Sequence, residues 1–517
     1  MPNQSPLTLT ALPVDILLLI LRDLTVSSLA VLSRTCHSFH ILINDAGWKQ
    51  YANQNPRYSP SITRVAEIWS SRERARFAHL TDRRWDSQTY VARPLCDPWA
   101  TKLRPVLCIS DSRLVLAKGQ ELLLYDFGCD HSKPIQLPIV RYAGSAQLSN
   151  RTKDSRHDIT GVIFLPDGGA NRQLCVAQAN GKLTRYEISA AVPGAPIEAN
   201  RSSIAARSRN GYNAGRAPKI LQATTMATYE HPLTPINYLT SSGNHILSIA
   251  ASGLASLIQA DSPWEPPSTI KLPFQLWSAH LSLKSSTPFA AIGTKGPSPL
   301  GVYPITQSQL SSEPLAFLGG SATPRSAVYG ICGVCPGSPL GSSDQIVVSG
   351  WYDGRVRVHD LRCAPAPSGF DSSSGNDPLS TSFPAPLHPV MTLHDPRGSL
   401  APIYCVATGG GGASQLVAGT AEHAVISVWD LRKPRGGWSF YPPEGDWSPS
   451  YSITLEGSKL WGTTQSRAFV LDFGPDVKEG TYPPVSHQDL SQTWDGLGYR
   501  TTTYFHYDSY SSSDGNV

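Results

Sequence analysis

The sequence predicts a mainly β chain with a small all-α unit at its N-terminus. Three observations lead there. Helical spacing of apolar residues is confined to the first stretch of the chain; from about Leu103 short β-rich runs alternate with Gly, Asn, Asp and Ser turns. The chain holds 43 Pro and only 3 Met in 517 residues, a balance that favours turns over long helices. One strand–turn–strand unit, ending in an acid, recurs from Leu103 to Gly474.

The helical stretch runs from Leu12 to Trp48. Pro13 fits a first helical turn. Ile16, Leu17, Ile20, Leu21 and Leu24 then recur at helical spacing and give a broad apolar face. Thr25 is placed to cap a second helix carrying Leu29, Leu32 and Cys36; Phe39, Leu42 and Ile43 mark a third, and Trp48 closes the unit. Three short helices cannot enclose a full core, so this much Leu and Ile predicts apolar surface left over for a partner. The competing interpretation is a helical cap packed on its own domain.

Leu12, Pro13, Ile16, Leu17, Ile20, Leu24, Leu29, Leu32, Cys36, Asp45 and Trp48 stand in an order and spacing that resembles an F-box. That module docks a substrate receptor onto the Skp adaptor of a cullin–RING ubiquitin ligase. Asp15 stands where the family usually has Glu, Phe39 where it has Trp, and His37 where it often has Arg or Lys. The resemblance implies adaptor binding through Leu12, Pro13, Ile16, Leu17, Ile20, Leu24, Leu29 and Leu32.

Residues from about Ser59 to Leu80 read as a helical connector, with Val65, Ile68, Trp69, Phe77 and Leu80 as apolar positions. Arg72, Arg74, Arg76, Arg83 and Arg84 make it basic, but Glu67 and Glu73 are interspersed, which favours a solvated helix face over an anion site.

The best copy of the repeat is Ser349–Arg362, where Asp353-Gly354 is a hairpin turn and Val356 and Val358 alternate with Arg355, Arg357 and His359. The next, Ala418–Arg432, ends in Trp429-Asp430. Weaker copies end at Tyr125-Asp126, Tyr186-Glu187 and Leu471-Asp472, turn at Ser252-Gly253, or carry Val302-Tyr303. These seven units resemble WD repeats, although the family's Gly-His pair is missing almost throughout; His231, His394 and His157 lie upstream of strands as that His would. The expected fold is a seven-bladed WD-repeat-like β-propeller, in which stacking buries blade faces that one blade cannot bury alone. Trp85–Val91 and Tyr499–Tyr507 compete to add a strand to it. The expected domains are 1–52 (F-box), 53–100 (helical connector), 101–480 (propeller) and 481–517 (a tail, partly disordered), with surface insertions at 190–219 and 364–386.

Chemistry is sparse. Cys332 and Cys335 have zinc-like spacing without a second pair, Gly181-Lys182 lacks the upstream glycine of a phosphate loop, and Gly409–Gly412 reads as a flexible loop. The acids Asp360, Asp430 and Asp472 recur at one structural position and read as turn-forming rather than catalytic. No nucleophile elbow or His-Glu zinc motif is present, so the expectation is a non-catalytic chain with no cofactor and no metal site. A net charge of +4 makes no case for nucleic acid, and the longest apolar run is too short for a membrane span. Nine scattered Cys point to a reducing compartment, cytoplasmic and/or nuclear. Together these imply the substrate-recognition subunit of a Skp–cullin–F-box ubiquitin ligase, with the Skp adaptor and cullin scaffold as partners and a target protein held by propeller loops, Arg325 and Arg397 among the candidates. The alternatives are a WD-repeat scaffold in a non-ubiquitin complex and an enzyme built on a propeller.

Overall fold

The computed structural model describes residues 9–99, 102–129, 136–148, 154–190, 220–232, 234–319, 326–363, 386–395, 401–441, 448–485 and 500–505. Six α-helices precede the sheets: α1 (Val14–Arg22), α2 (Val26–Leu32), α3 (His37–Leu42), α4 (Trp48–Gln54), α5 (Thr63–Ile68) and α6 (Ser71–Asp86). Pro13 sits immediately before α1, and Thr25 caps α2 by accepting from the Ser28 N–H at 3.1 Å. Trp48 opens α4 rather than closing the unit, reached through a wide turn at Ile43–Gly47. The connector is two helices, because Trp69 leaves the helix in an extended conformation. Ser70 then starts α6 with a reciprocal cap on Glu73.

The strands form six hydrogen-bonded antiparallel sheets, in which most neighbouring strands follow one another in the chain. In the first, Val106–Ile109, Arg113–Lys118, Glu121–Cys129 and Pro138–Gln147 pair in that order. The inner strands, Val106–Ile109, Ile159–Phe164, Ile236–Ser242, Leu276–Ser282, Ser326–Gly333, Ile403–Gly409 and Ser450–Leu455, neighbour one another around a closed ring. Side chains from facing sheets interdigitate: Leu116 and Tyr125 pack with Trp461 and Val470, and Val358 and Leu393 with Leu416 and Trp429. The arrangement is propeller-like.

The expected count of seven separate blades is corrected to five. The remaining arc is one nine-stranded sheet, which takes in both the Phe289–Ile305 and the Ser349–Arg362 units. Its join is the pairing of Lys295 with Ala327 and of Gly296 with Ser326. Glycine permits this approach: a Cβ on Gly293 would lie 2.6 Å from the Val328 carbonyl oxygen.

The ring is closed from the N-terminal side. Val91–Pro94 pairs with Ala468–Asp472, so this strand belongs with the sheets although the expected connector extends to residue 100. Arg500–Phe505, from the expected tail, adds a fifth strand beside Gly436–Tyr441. Most of both insertions and of the tail lies outside the described residues.

Candidate functional site

Helix α1 has almost no polar face, since VDILLLIL holds one polar residue in eight. One side of it is core. Leu17 and Leu21 pack with Val26, Leu29, Phe39, Ile43 and Trp48, and Ala75 of α6 touches the same cluster. The other side faces water: Ile16 is 43% exposed, Leu19 56% and Ile20 39%. Val14, Val31 on α2 and Ile41 on α3 add to the exposed apolar surface. Of the residues expected to bind an adaptor, Pro13, Ile16 and Ile20 are exposed, and Leu12, Leu24 and Leu32 are half-buried. Leu17 and Leu29 are enclosed and hold the helices together instead of facing outward. Spacing alone misses Val14, Leu19, Val31 and Ile41. The signal for them is the lack of a polar face on so short a helix.

The connector is fixed to one end of the propeller. The Glu456 carboxylate, fully buried, accepts from the Ser61 N–H at 2.9 Å, the Ser59 hydroxyl at 3.4 Å and the Trp461 indole at 3.0 Å. Lys459 Nζ, equally buried, donates to the Ser61 hydroxyl at 2.9 Å. Trp85 stacks on Phe473 with ring centroids 3.5 Å apart and donates to the Gly457 carbonyl. The glycine run expected to be a flexible loop is its seat: Cβ atoms on Gly410 and Gly411 would lie 3.0 and 3.3 Å from the Trp85 ring. Arg72, Arg74, Arg76 and Arg83 are exposed, as a solvated face requires, and Arg84 donates to the Gly474 carbonyl.

The strand-end acids make turn bonds. Asp360 holds the N–H and guanidinium of Arg362, and Asp430 those of Arg432. Asp472 accepts from the Gly474 N–H and the Tyr482 hydroxyl. Burial pushes the Cys332 thiol up to about 12 and the Cys335 thiol up to about 11, which disfavours the thiolate a metal needs. Among the described residues no group of three His, Cys, Asp or Glu is placed to hold a metal ion. No helix among them is long and apolar enough to cross a membrane. Arg325 and Arg397 lie outside the described residues.

A family model described as F-box-like matches residues 9–54, the stretch that forms α1 to α4. No curated protein matches the chain.

Proposed function

We propose that the chain is the target-binding subunit of a Skp–cullin–F-box ubiquitin ligase. The observation that carries this reading is the double-sided α1, whose inner apolar residues complete a core while Ile16, Leu19 and Ile20 stand in water. On this reading the helices bind the Skp adaptor through that outer face, joined by Leu12, Pro13, Leu24 and Leu32. The propeller holds a target protein, and the cullin enters through the adaptor. The chain performs no bond chemistry; it raises the effective concentration of a target lysine near the charged conjugating enzyme.

We further infer that the sheets are diverged WD repeats. The Asp-Leu-Arg clamps at Asp360 and Asp430 support this, as does His231, whose Nε2 lies 2.7 Å from the Ser248 hydroxyl. The scattered cysteines support a reducing compartment, cytoplasm or nucleus.

Co-expression with a Skp adaptor tests the proposal. The wild-type chain is expected to co-elute with adaptor and cullin. An Ile16→Asp, Leu19→Asp chain is expected to lose both and keep its melting temperature, since both side chains are exposed. Equal recovery of adaptor by the two chains overturns the proposal, as does a stable complex that lacks a cullin.

A further inference from the structure

The inner strands share an irregularity. In six of them the register slips by one residue near the strand start, leaving Thr160, Asn237, Trp277, Tyr329, Tyr404 and Tyr451 unpaired in the ladder. Bulges re-aim side chains, and here four successive strands present an aromatic ring. The rings touch in sequence around the ring of strands. Trp277 meets Tyr329 at 5.2 Å between centroids, Tyr329 meets Tyr404 at 5.2 Å, and Tyr404 meets Tyr451 at 6.1 Å. Tyr352, 56% exposed, lies against Tyr329.

This aromatic wall is at the far end of the channel from the connector. Tyr404 and Tyr451 open the strands that end at Gly409 and Leu455, next to the connector's seat. Five residues of strand separate the two ends by about 16 Å at ~3.3 Å per residue.

The wall is polar at its tips. All four rings are half-buried, and the Trp277 indole N–H is buried with no acceptor among the described residues. Burial raises the Tyr329 and Tyr451 hydroxyls, so both remain donors at neutral pH. Arg104, exposed, lies beside the Tyr451 hydroxyl, where its charge partly offsets the effect of burial. Asp353, the acid in the turn that carries Tyr352, already holds the Arg357 guanidinium with both oxygens, at 3.0 and 2.6 Å.

Resting on the ligase reading above, we infer that this wall is the target site and that its ligand is a proline-rich, polyproline-II segment with a carboxylate beside it. Flat Tyr and Trp faces whose N–H and O–H groups are directed at carbonyls take such chains, which lose little entropy on binding. Each ring-to-ring step is close to two residues of polyproline II at ~3.1 Å per residue. A methylated-lysine ligand needs an acid to accompany the rings, and Asp353 is engaged; Arg104 instead favours a carboxylate. A phosphate ligand needs a cluster of unengaged arginines; among the described residues, Arg357 beside the Tyr352 turn is already held by both oxygens of Asp353.

The test uses the full chain and a fluorescein-labelled octaproline peptide ending in two glutamates, read by fluorescence anisotropy. The expected result is saturable binding in the micromolar range, at least tenfold weaker for Tyr352→Ala and for Tyr404→Leu, with co-purification of the Skp adaptor unchanged in both. The Ile16→Asp, Leu19→Asp chain is expected to keep full peptide affinity, which separates this site from adaptor docking. The inference is overturned if the peptide fails to saturate at millimolar concentration, if either aromatic variant binds as well as wild type, or if a lysine-ended octaproline binds equally. Tighter binding of a trimethyl-lysine peptide or of oligothymidine overturns it too.

Discussion

Replacing Glu456 by Ala is the sharpest probe of how the connector is held. The carboxylate is 0% exposed and meets four groups: the Ser61 N–H, the Ser59 hydroxyl, the Trp461 indole and, at 4.0 Å, Lys459 Nζ. Lys459 is itself 1% exposed. Its ammonium keeps hydrogen bonds to Ser61 and Ser458 in the variant but loses the carboxylate 4.0 Å away, its one counter-charge within that distance among the described residues. Removing one partner of a buried pair costs about 3–5 kcal/mol, because the other charge stays buried. The Ser61 and Trp461 donors left behind act in the same direction. The double variant Glu456→Leu, Lys459→Met removes both charges and is expected to recover most of the loss. Urea unfolding of wild type, Glu456→Leu, Lys459→Met and the double variant gives the coupling directly, expected at about 2–3 kcal/mol. Strict additivity, with Glu456→Ala near wild type, would falsify the view that this buried pair holds the connector.

Three further outcomes follow from other parts of the fold. Burial, with Arg357 and His388 nearby, pushes His359 down to about 3, and burial pushes His280 down to about 4. Both are therefore neutral in the fold while the unfolded chain protonates near pH 6.5. Stability from these groups is fully present above pH 6.5 and falls as the pH drops toward 4, by up to about 1.4 kcal/mol per pH unit for each histidine; His359→Leu is expected to flatten that slope in urea titrations. Gly253 has φ +90° and its Cβ would lie 2.3 Å from the Leu272 carbonyl oxygen, so Gly253→Ala is expected to cost about 1–3 kcal/mol by thermal melting. Cys36 and Cys363 are exposed, whereas burial pushes Cys108 and Cys405 up to about 12; a thiol reagent on the native chain is expected to modify the first two well before the others, as read by peptide mass.

The parts of the fold written in local pattern were legible in the sequence. The run from Leu12 to Trp48 has helical spacing, a proline start and a Thr cap, and these are local facts. The strand-end acids were read as turn-formers, and Asp360 and Asp430 each bind the arginine two residues on. What escaped depends on distant partners. Leu17 and Ile16 are alike in sequence, and only packing sends one inward and the other to water. The blade count failed because two units merge through Lys295 and Gly296, a pairing set by how close two strands come rather than by either repeat. Gly409–Gly412 carries a loop's composition, but its missing side chains make room for Trp85, which lies far away in the chain. The aromatic wall was invisible for the same reason. Trp277, Tyr329, Tyr404 and Tyr451 are single residues in separate units, brought together by bulges that no periodicity announces.

The connector's attachment has a consequence for the proposed ligase. A flexible chain of about thirty residues has an end-to-end distance near 30 Å, at ~5–6 Å times the square root of its length. A target on such a tether would sample a wide volume and meet the conjugating enzyme at low effective concentration. Here the same stretch of chain is helical and pinned at Ser59, Ser61, Trp69 and Trp85, and its Ala75 touches the core under α1. The apolar face of α1 and the aromatic mouth are therefore held in one rigid frame. Their separation is set by the thickness of the sheets and the length of α6. Loosening the frame, as Glu456→Ala does, should lower the rate of target ubiquitination while leaving adaptor and target affinities unchanged. That is the pattern that separates positioning from binding.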